Sequence, residues 1–317
     1  MTEVRKIDDK VSEIIITEGE YRVSIYTYGA ILHSFSHRDR DIVLGYDDYK
    51  DYLTAPGHLS EVVGPFANRI ANASFCMDGK IYQLEKNNGE NNLHSGSKNF
   101  GQKFWKIDST DDCSVTLSLE SPEDGGFPGS HHAIVRYSLT SDGTLKLEYT
   151  ISSEHKCPVN VTNHAYFNLN GEGDIREHKA MLDASEYLKT DSSLIPIKRE
   201  SVEGSDYDFR TLRAIGEKHG GDYDNCFIFS GEKKAVVEND DYSLEVTTDL
   251  PAVHFYTASS LSSLVPGKGG RMLQPFGGFA LETEFFPDFP NHADYPGAYT
   301  EAGKPFSTWT QFRLTKK

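Results

Sequence analysis

The stretch Ala133–Ile151, AIVRYSLTSDGTLKLEYTI, decides the fold class. Two runs rich in β-branched and aromatic residues, Ala133 to Leu139 and Leu145 to Ile151, flank Ser141-Asp142-Gly143. An Asp-Gly step between such runs is a hairpin signal. The same grammar recurs outward in both directions. Trp105 to Ile107 and Val115 to Leu119 flank the polar Asp111-Asp112 turn, Tyr21 to His37 is strand-like with partial alternation, and Tyr242 to Thr248 and Val253 to Ala258 continue the pattern. Turn residues return about every ten positions, as they do in large sandwiches. Helical signals are confined to Phe209 to Lys218 and the segment near Asp47 to Leu53. Strands do not alternate with long helices, so a doubly wound α/β fold is disfavoured. With no Pro/Ser linker and no break in composition, 1–317 reads as one all-β domain, a large antiparallel β-sandwich with few short helices.

Bulk composition narrows the function. The 317 residues carry a net charge of −16, with 37% hydrophobic and 12% aromatic residues, and the mean hydropathy is −0.52. That profile predicts a water-soluble globular protein. A strongly acidic surface repels phosphate backbones and anionic lipids, which argues against nucleic acid and membrane partners. A neutral small molecule meets no such barrier. The N-terminal MTEVRKIDDKVSEIIITEGE lacks the apolar core of a signal peptide, and the chain has no apolar run of membrane-spanning length. Cys76, Cys113, Cys157 and Cys226 stand far apart without a C-x-x-C spacing, so a structural zinc site is not expected. With no secretion signal the reading is reduced thiols in a cytoplasmic protein. The Gly-rich PGKGGRMLQPFGG, Pro266 to Gly278, lacks the G-x-x-x-x-G-K-[ST] of a phosphate loop and reads as a mobile surface loop.

Two segments carry chemistry. In ALETEFF, Ala280 to Phe286, strand alternation puts Glu282, Glu284 and Phe286 on one face and Leu281, Thr283 and Phe285 on the other. Two carboxylates on a closed face are costly, so that face meets either solvent or a polar cleft, and strand pattern alone favours solvent. In VTNHAYFNL, Val161 to Leu169, the same alternation groups Thr162, His164, Tyr166 and Asn168. Such a polar, aromatic face suits a sugar, which offers hydroxyls at its rim and C–H surface to stack on rings. Smaller signals are an Asn-Arg beside a turn at Asn68 and Arg69, the polar loop Asn91 to Gly96, and the acidic turn Asp222 to Asp224 before the Phe227 to Phe229 strand.

Taken in order, these pieces resemble the aldose 1-epimerases, also called galactose mutarotases. The resemblance runs from about Leu44-Gly45-Tyr46-Asp47 onward. It takes in ANRI (Ala67 to Ile70), NNLHSG (Asn91 to Gly96), TNHAYFNLNG (Thr162 to Gly171), YDNCF (Tyr223 to Phe227), FYT (Phe255 to Thr257) and ALETEFFPDFPNH (Ala280 to His292). NHAYFNL and ETEFFPDFPNH are the specific ones. The resemblance implies a galactose mutarotase-like supersandwich with a sugar cleft on a concave sheet, and no metal or other cofactor. It implies Glu282 as general base, His164 as general acid and His94 as an assistant at the ring oxygen. Asn68, Arg69 and Asp224 would hydrogen-bond the sugar hydroxyls, and His254 joins them as a substrate-binding residue. The chain departs from the family where Pro65 replaces the usual Arg, Asn225-Cys226 the usual His-Asn, and His254 and Glu284 the usual Gln residues. These departures touch the choice of sugar more than the reaction.

The implied reaction interconverts the α and β anomers of a free aldohexose such as glucose or galactose. The C1 hydroxyl loses a proton while the ring oxygen gains one, the ring opens, C1–C2 rotates, and the roles reverse on closure. An ionised Glu282 would take the first proton and a protonated His164 supply the second. Three other readings compete. A glycoside hydrolase needs two carboxylates about 5–10 Å apart, and Glu282 and Glu284 on one strand face would be roughly 7 Å apart. A non-catalytic sugar-binding module needs neither Glu nor His. A hexose-6-phosphate 1-epimerase needs basic residues for the phosphate. No motif fixes the oligomeric state.

Overall fold

The computed structural model describes residues 1–54 and 57–317. Three sheets dominate. The first is a five-stranded meander, Thr2–Lys6, Ser12–Glu18, Tyr21–Tyr26, Leu32–His37 and Arg40–Asp41, in sequence order. The second has nine strands, in the order Lys106–Asp111, Ser114–Ser121, His131–Leu139, Thr144–Ser153, Phe306–Lys316, Tyr242–Thr248, Lys234–Glu238, Lys179–Leu182, Arg213–Ala214. The third has six, in the order Tyr166–Phe167, Phe279–Glu284, Ala252–Tyr256, Asp224–Phe229, Ala184–Thr190, Pro196–Ser201. Every strand pairing within the three is antiparallel.

The hairpin over Ala133–Ile151 forms as the sequence predicts, with Leu139 opposite Leu145. Its side chains alternate: Ala133, Val135, Tyr137 and Leu139 are buried, and so are Leu145, Leu147, Tyr149 and Ile151. This period of two makes one face of the nine-stranded sheet apolar. That face closes on the six-stranded sheet. A single apolar cluster joins Val135, Leu147 and Phe312 of the larger sheet to Phe227, Phe255 and Leu281 of the smaller, and to Ile14 and Val23 of the meander.

Two local expectations need correction. Phe209 to Lys218 is not a helix. It contains the Arg213–Ala214 strand and a 3₁₀ turn over Ile215–Glu217, because Arg213 is drawn inward to lie over the Phe209 ring and to bond the Asp206 and Asp208 carbonyls. Val161 to Leu169 is not one strand either. It breaks into Thr162–Asn163, paired with Val62–Val63, and Tyr166–Phe167, paired with Phe279–Glu284. The helix expected near Asp47 to Leu53 is a single turn, Tyr49–Tyr52, capped by the Asp48 side chain. The strand-like Tyr21 to His37 forms two strands, Tyr21–Tyr26 and Leu32–His37. The Gly-rich segment is a loop with a latch the sequence did not announce. Lys268 Nζ reaches Asp41 Oδ2 (2.8 Å) and the Val43 carbonyl (2.8 Å), and also donates to the His33 carbonyl.

Candidate active site

The site lies on the face of the six-stranded sheet opposite the core. Along Phe279–Glu284 the odd residues Leu281 and Thr283 turn away from Glu282 and Glu284. Register then places Glu282 directly beside His254, and His254 beside Cys226. The six residues of this strand are all buried. The expectation that the Glu face meets solvent is therefore wrong, because loops from Gly57 to Arg69 and Leu93 to His94 roof it. Between sheet and roof is a cavity of about 270 Å³, lined by His58, Asn68, Arg69, His94, His164, Tyr166, Asp224, His254, Tyr256 and Glu282 among others. Ligand pockets usually begin near 300 Å³, so this one suits a single small polar molecule.

The structure brings all the sequence-selected residues together here. His164 Nε2 stands 3.4 Å from Glu282 Oε1. His164 Nδ1 and Glu282 Oε2 are buried with no hydrogen-bond partner among the described residues. A buried polar atom without a partner is costly, and both belong to residues that line the cavity. Tyr166 stacks on His164 (4.9 Å, 25°) and anchors its own hydroxyl on the Gly57 carbonyl. The His164 backbone is pinned at both ends, by Glu61 O (3.0 Å) and Ser60 N (2.9 Å). His94 and Asn68 hold each other: Asn68 N donates to His94 Nδ1 (3.1 Å), and His94 N to Asn68 O (3.0 Å). His94 is therefore the neutral tautomer with its proton on Nε2. Both residues adopt left-handed backbone, φ 66° at Asn68 and 52° at His94. Non-glycine residues rarely do so, and functional sites are where such strain concentrates. Arg69 is half-buried, its Nε donating to Asn88 Oδ1.

Electrostatics reverse one expectation. Burial pushes the Glu282 carboxyl up to about 8, with charged His254 pulling the other way. Burial, helped by His58, lowers His164 to about 3, and burial holds His94 well below the usual imidazole range. At neutral pH the resting pair is thus a protonated Glu282 beside a neutral His164. The sequence reading had the opposite arrangement. The reason is that a dry cavity penalises both charged forms. The pair still holds one exchangeable proton, which is what an acid–base couple requires.

His254 is charged instead. Burial opposes its charge, but Asp224 and Glu284 overcome it and raise it to about 10. Its Nε2 contacts Asp224 Oδ1 at 2.6 Å and its Nδ1 lies 3.3 Å from Glu284 Oε1. Asn68 Nδ2 also donates to Glu284 Oε1 (3.3 Å). Positions 254 and 284, both set apart in the sequence reading, are therefore one spatial unit, an ionic pair. Glu284 is fully buried and does not line the cavity.

Among the described residues, one group of three metal-type donors, His94, His164 and Glu282, has its atoms within 4.8 Å of one another. The same three atoms are what proton transfer needs. A larger groove of about 740 Å³ lies elsewhere, around Arg40, Lys268 and Arg271. Two of its cations are already matched, Lys268 with Asp41 and Arg271 with Glu172. Sequence reasoning missed His58, Glu61 and Tyr256 as parts of the site. The only signal for the first two is an i, i+3 His/Glu spacing in a loop.

A sandwich of antiparallel sheets, carrying a buried His–Glu couple in a small polar cavity, has the groups for acid–base chemistry on a small polar molecule. The comparisons narrow this. The aldose 1-epimerase family profile matches residues 12–313. The chain is 35% identical to the aldose 1-epimerase of Escherichia coli K12 over 295 residues, covering 87% of this chain and 85% of that one. It is 34% identical to the galactose mutarotase of Bos taurus over 325 residues, covering 96% and 94%. Among solved structures, an aldose epimerase homologue from C. elegans superposes with a TM-score of 0.92 at 24% identity, over 100% of this chain and 99% of that one. A galactose 1-epimerase from Lactobacillus acidophilus gives 0.85 at 21%, over 100% and 98%. This chain belongs to the aldose 1-epimerase family, a family of isomerases, and has the galactose mutarotase-like β-fold.

Proposed function

We propose that this protein is an aldose 1-epimerase acting on free aldohexoses such as glucose and galactose, that residues 1–317 work as a single domain in the cytoplasm, and that Glu282 and His164 are its catalytic pair. The observation that carries this is the couple at 3.4 Å, both of whose residues line a cavity sized for one sugar. The resting pair, Glu282 protonated and His164 neutral, has the same proton count as the reactive tautomer, Glu282 ionised and His164 charged. Sugar hydroxyls that donate to Glu282 Oε2 favour the ionised carboxylate, and the ring oxygen accepts from the imidazolium. Glu282 then takes the C1 hydroxyl proton as His164 protonates the ring oxygen and the C1–O5 bond breaks. After rotation about C1–C2, His164 recovers its proton from the C5 hydroxyl and Glu282 returns one to the C1 oxygen. His94, with its proton on Nε2, assists at the ring oxygen. Asn68, Arg69 and Asp224 hold the remaining hydroxyls, and His254, with both ring nitrogens on carboxylates, acts through Asp224 rather than on the sugar itself. No step calls for a metal or redox group.

The rivals fare less well. A hydrolase dyad of Glu282 and Glu284 is disfavoured because Glu284 is committed to His254 and Asn68. A phosphosugar is disfavoured because Arg69 is the single Arg or Lys among the described residues lining the cavity. The test is polarimetry of freshly dissolved α-D-glucose and α-D-galactose, beside glucose 6-phosphate and an aryl glycoside. Accelerated mutarotation of a free hexose is expected. Binding without acceleration, aglycone release, or a preference for the phosphosugar would each replace this reading.

A further inference from the structure

The loop that roofs the cavity brings in a histidine with no part in the scheme above. His58 lines the cavity wall, and its Nδ1 lies 2.6 Å from Glu61 Oε1. The Glu61 side chain is 10% exposed and boxed in, since a methyl group at Gly101 would collide with its carboxyl. Both His58 (φ 53°) and Ser60 (φ 59°) hold left-handed backbone, so the loop is shaped at a conformational cost. The His58 ring centre is 4.8 Å from that of His94 and 6.3 Å from that of His164. Glu61 O and Ser60 N are the two groups that grip the His164 backbone. His58, Glu61 and His164 therefore form one rigid piece.

With Nδ1 taken by Glu61, Nε2 is the free ring nitrogen, and no described residue bonds it. We propose that His58, oriented by Glu61, hydrogen-bonds a substrate hydroxyl adjacent to the atoms reached by His94 and His164, and thereby determines which aldoses the site accepts. The proposal rests on the mutarotase reading above. Its chemistry holds in either protonation state. A neutral ring offers Nε2 as acceptor and a charged ring offers Nε2–H as donor, and a hydroxyl answers both. Glu61 favours the charged ring even though burial opposes it. A substrate with hydrogen in place of that hydroxyl would strand a part-buried polar nitrogen, which is how a polar site rejects a deoxy analogue.

The experiment is steady-state polarimetry on the best hexose, each of its monodeoxy analogues, the pentose lacking its C6 group, and the matching hexuronate. It compares wild type with H58N, H58Q and E61Q. Asn tolerates left-handed backbone but is too short to reach; Gln restores some reach. In wild type, one analogue should lose roughly ten- to a hundredfold in kcat/KM. H58N should lose a similar factor on the parent sugar, mostly through KM, and suffer no further loss on that one analogue. H58Q should recover part of the affinity, and E61Q should fall between. Circular dichroism checks folding; if H58N is misfolded, E61Q and H58Q carry the same comparison. An unchanged KM in folded variants, an undiminished penalty on every analogue, or a hexuronate preferred over the hexose would overturn the proposal while leaving mutarotation intact. A wild type inactive on all aldoses would instead overturn the function itself.

Discussion

If His254 and Glu284 are one unit, mutating them singly and together must be strongly non-additive. H254Q removes the cation shared by two carboxylates, Asp224 at 2.6 Å and Glu284 at 3.3 Å. Glu284 is fully buried, and stranding one member of a buried ion pair costs about 3–5 kcal/mol. E284Q is milder, because His254 keeps Asp224 and the new amide can still accept from Asn68; the lost charge-assisted bond is worth about 1.5–3 kcal/mol. In H254Q/E284Q two neutral amides face each other and only Asp224 loses its partner, so most of the H254Q penalty returns. The two single losses, together about 4.5–8 kcal/mol, should then exceed the double mutant's by about 3–6 kcal/mol, well above the ~0.5 kcal/mol seen for independent sites. Urea unfolding of the four proteins at pH 7 measures it directly. The pH dependence gives a second check. His254 is raised from 6.5 to about 10 in the folded protein. A raised folded pKa contributes stability that is complete below the unfolded value and disappears as pH rises through the folded one. The stability gap between wild type and H254Q should therefore be near its full size at pH 6–7 and shrink toward pH 10. Additive single-mutant effects, or a gap that widens with pH, would refute the paired reading.

Three further outcomes follow from the site. E282Q and H164N should each slow polarimetric interconversion by roughly 10²–10⁴-fold, with little change in equilibrium sugar binding by calorimetry; a near wild-type rate in either rules out that residue's role. Free-enzyme kcat/KM should fall as pH rises through about 8, where Glu282 loses the shared proton, and should not fall until about 3 on the acid side, where His164 takes a second; a limb near 6.5 would mean an ordinary, solvated histidine. R69A should raise KM by roughly ten- to a hundredfold through lost charge-assisted hydrogen bonds, with kcat less affected, and an unchanged KM would remove Arg69 from the sugar-binding set.

The strands were legible because their physics is local. Leu139 and Leu145 flank an Asp-Gly turn that fixes register within a few residues, and the resulting alternation is visible in the sequence. The strand status of Phe279–Glu284 was legible for the same reason. Its burial was not, since the roof over Glu282 comes from Gly57 to Arg69 and Leu93 to His94, far earlier in the chain. The break at His164 was hidden for a related reason: Val62–Val63 captures Thr162–Asn163 while Tyr166–Phe167 joins another sheet, so one apparent strand serves two partners. Glu282 and His164 stood out only through the motifs around them. Their protonation state depends on burial and was beyond reach of the motif. His58 and Glu61 gave only their i, i+3 spacing as a signal, because their importance comes from where a left-handed loop sets them down.

The order of the nine-stranded sheet has a consequence for biosynthesis. Its central strand, Phe306–Lys316, sits between Thr144–Ser153 and Tyr242–Thr248. A ribosome emits the first of these neighbours long before the strand that must cover its edge. At about 5–20 residues per second, the interval is roughly ten to thirty seconds. Throughout it, the nascent chain carries an open β edge beside an apolar face, a surface prone to improper pairing. A chain cut before Phe306 would make that condition permanent. Chaperone occupancy during synthesis and the quality control of truncated chains should thus hinge on this late strand more than on any residue of the catalytic cavity.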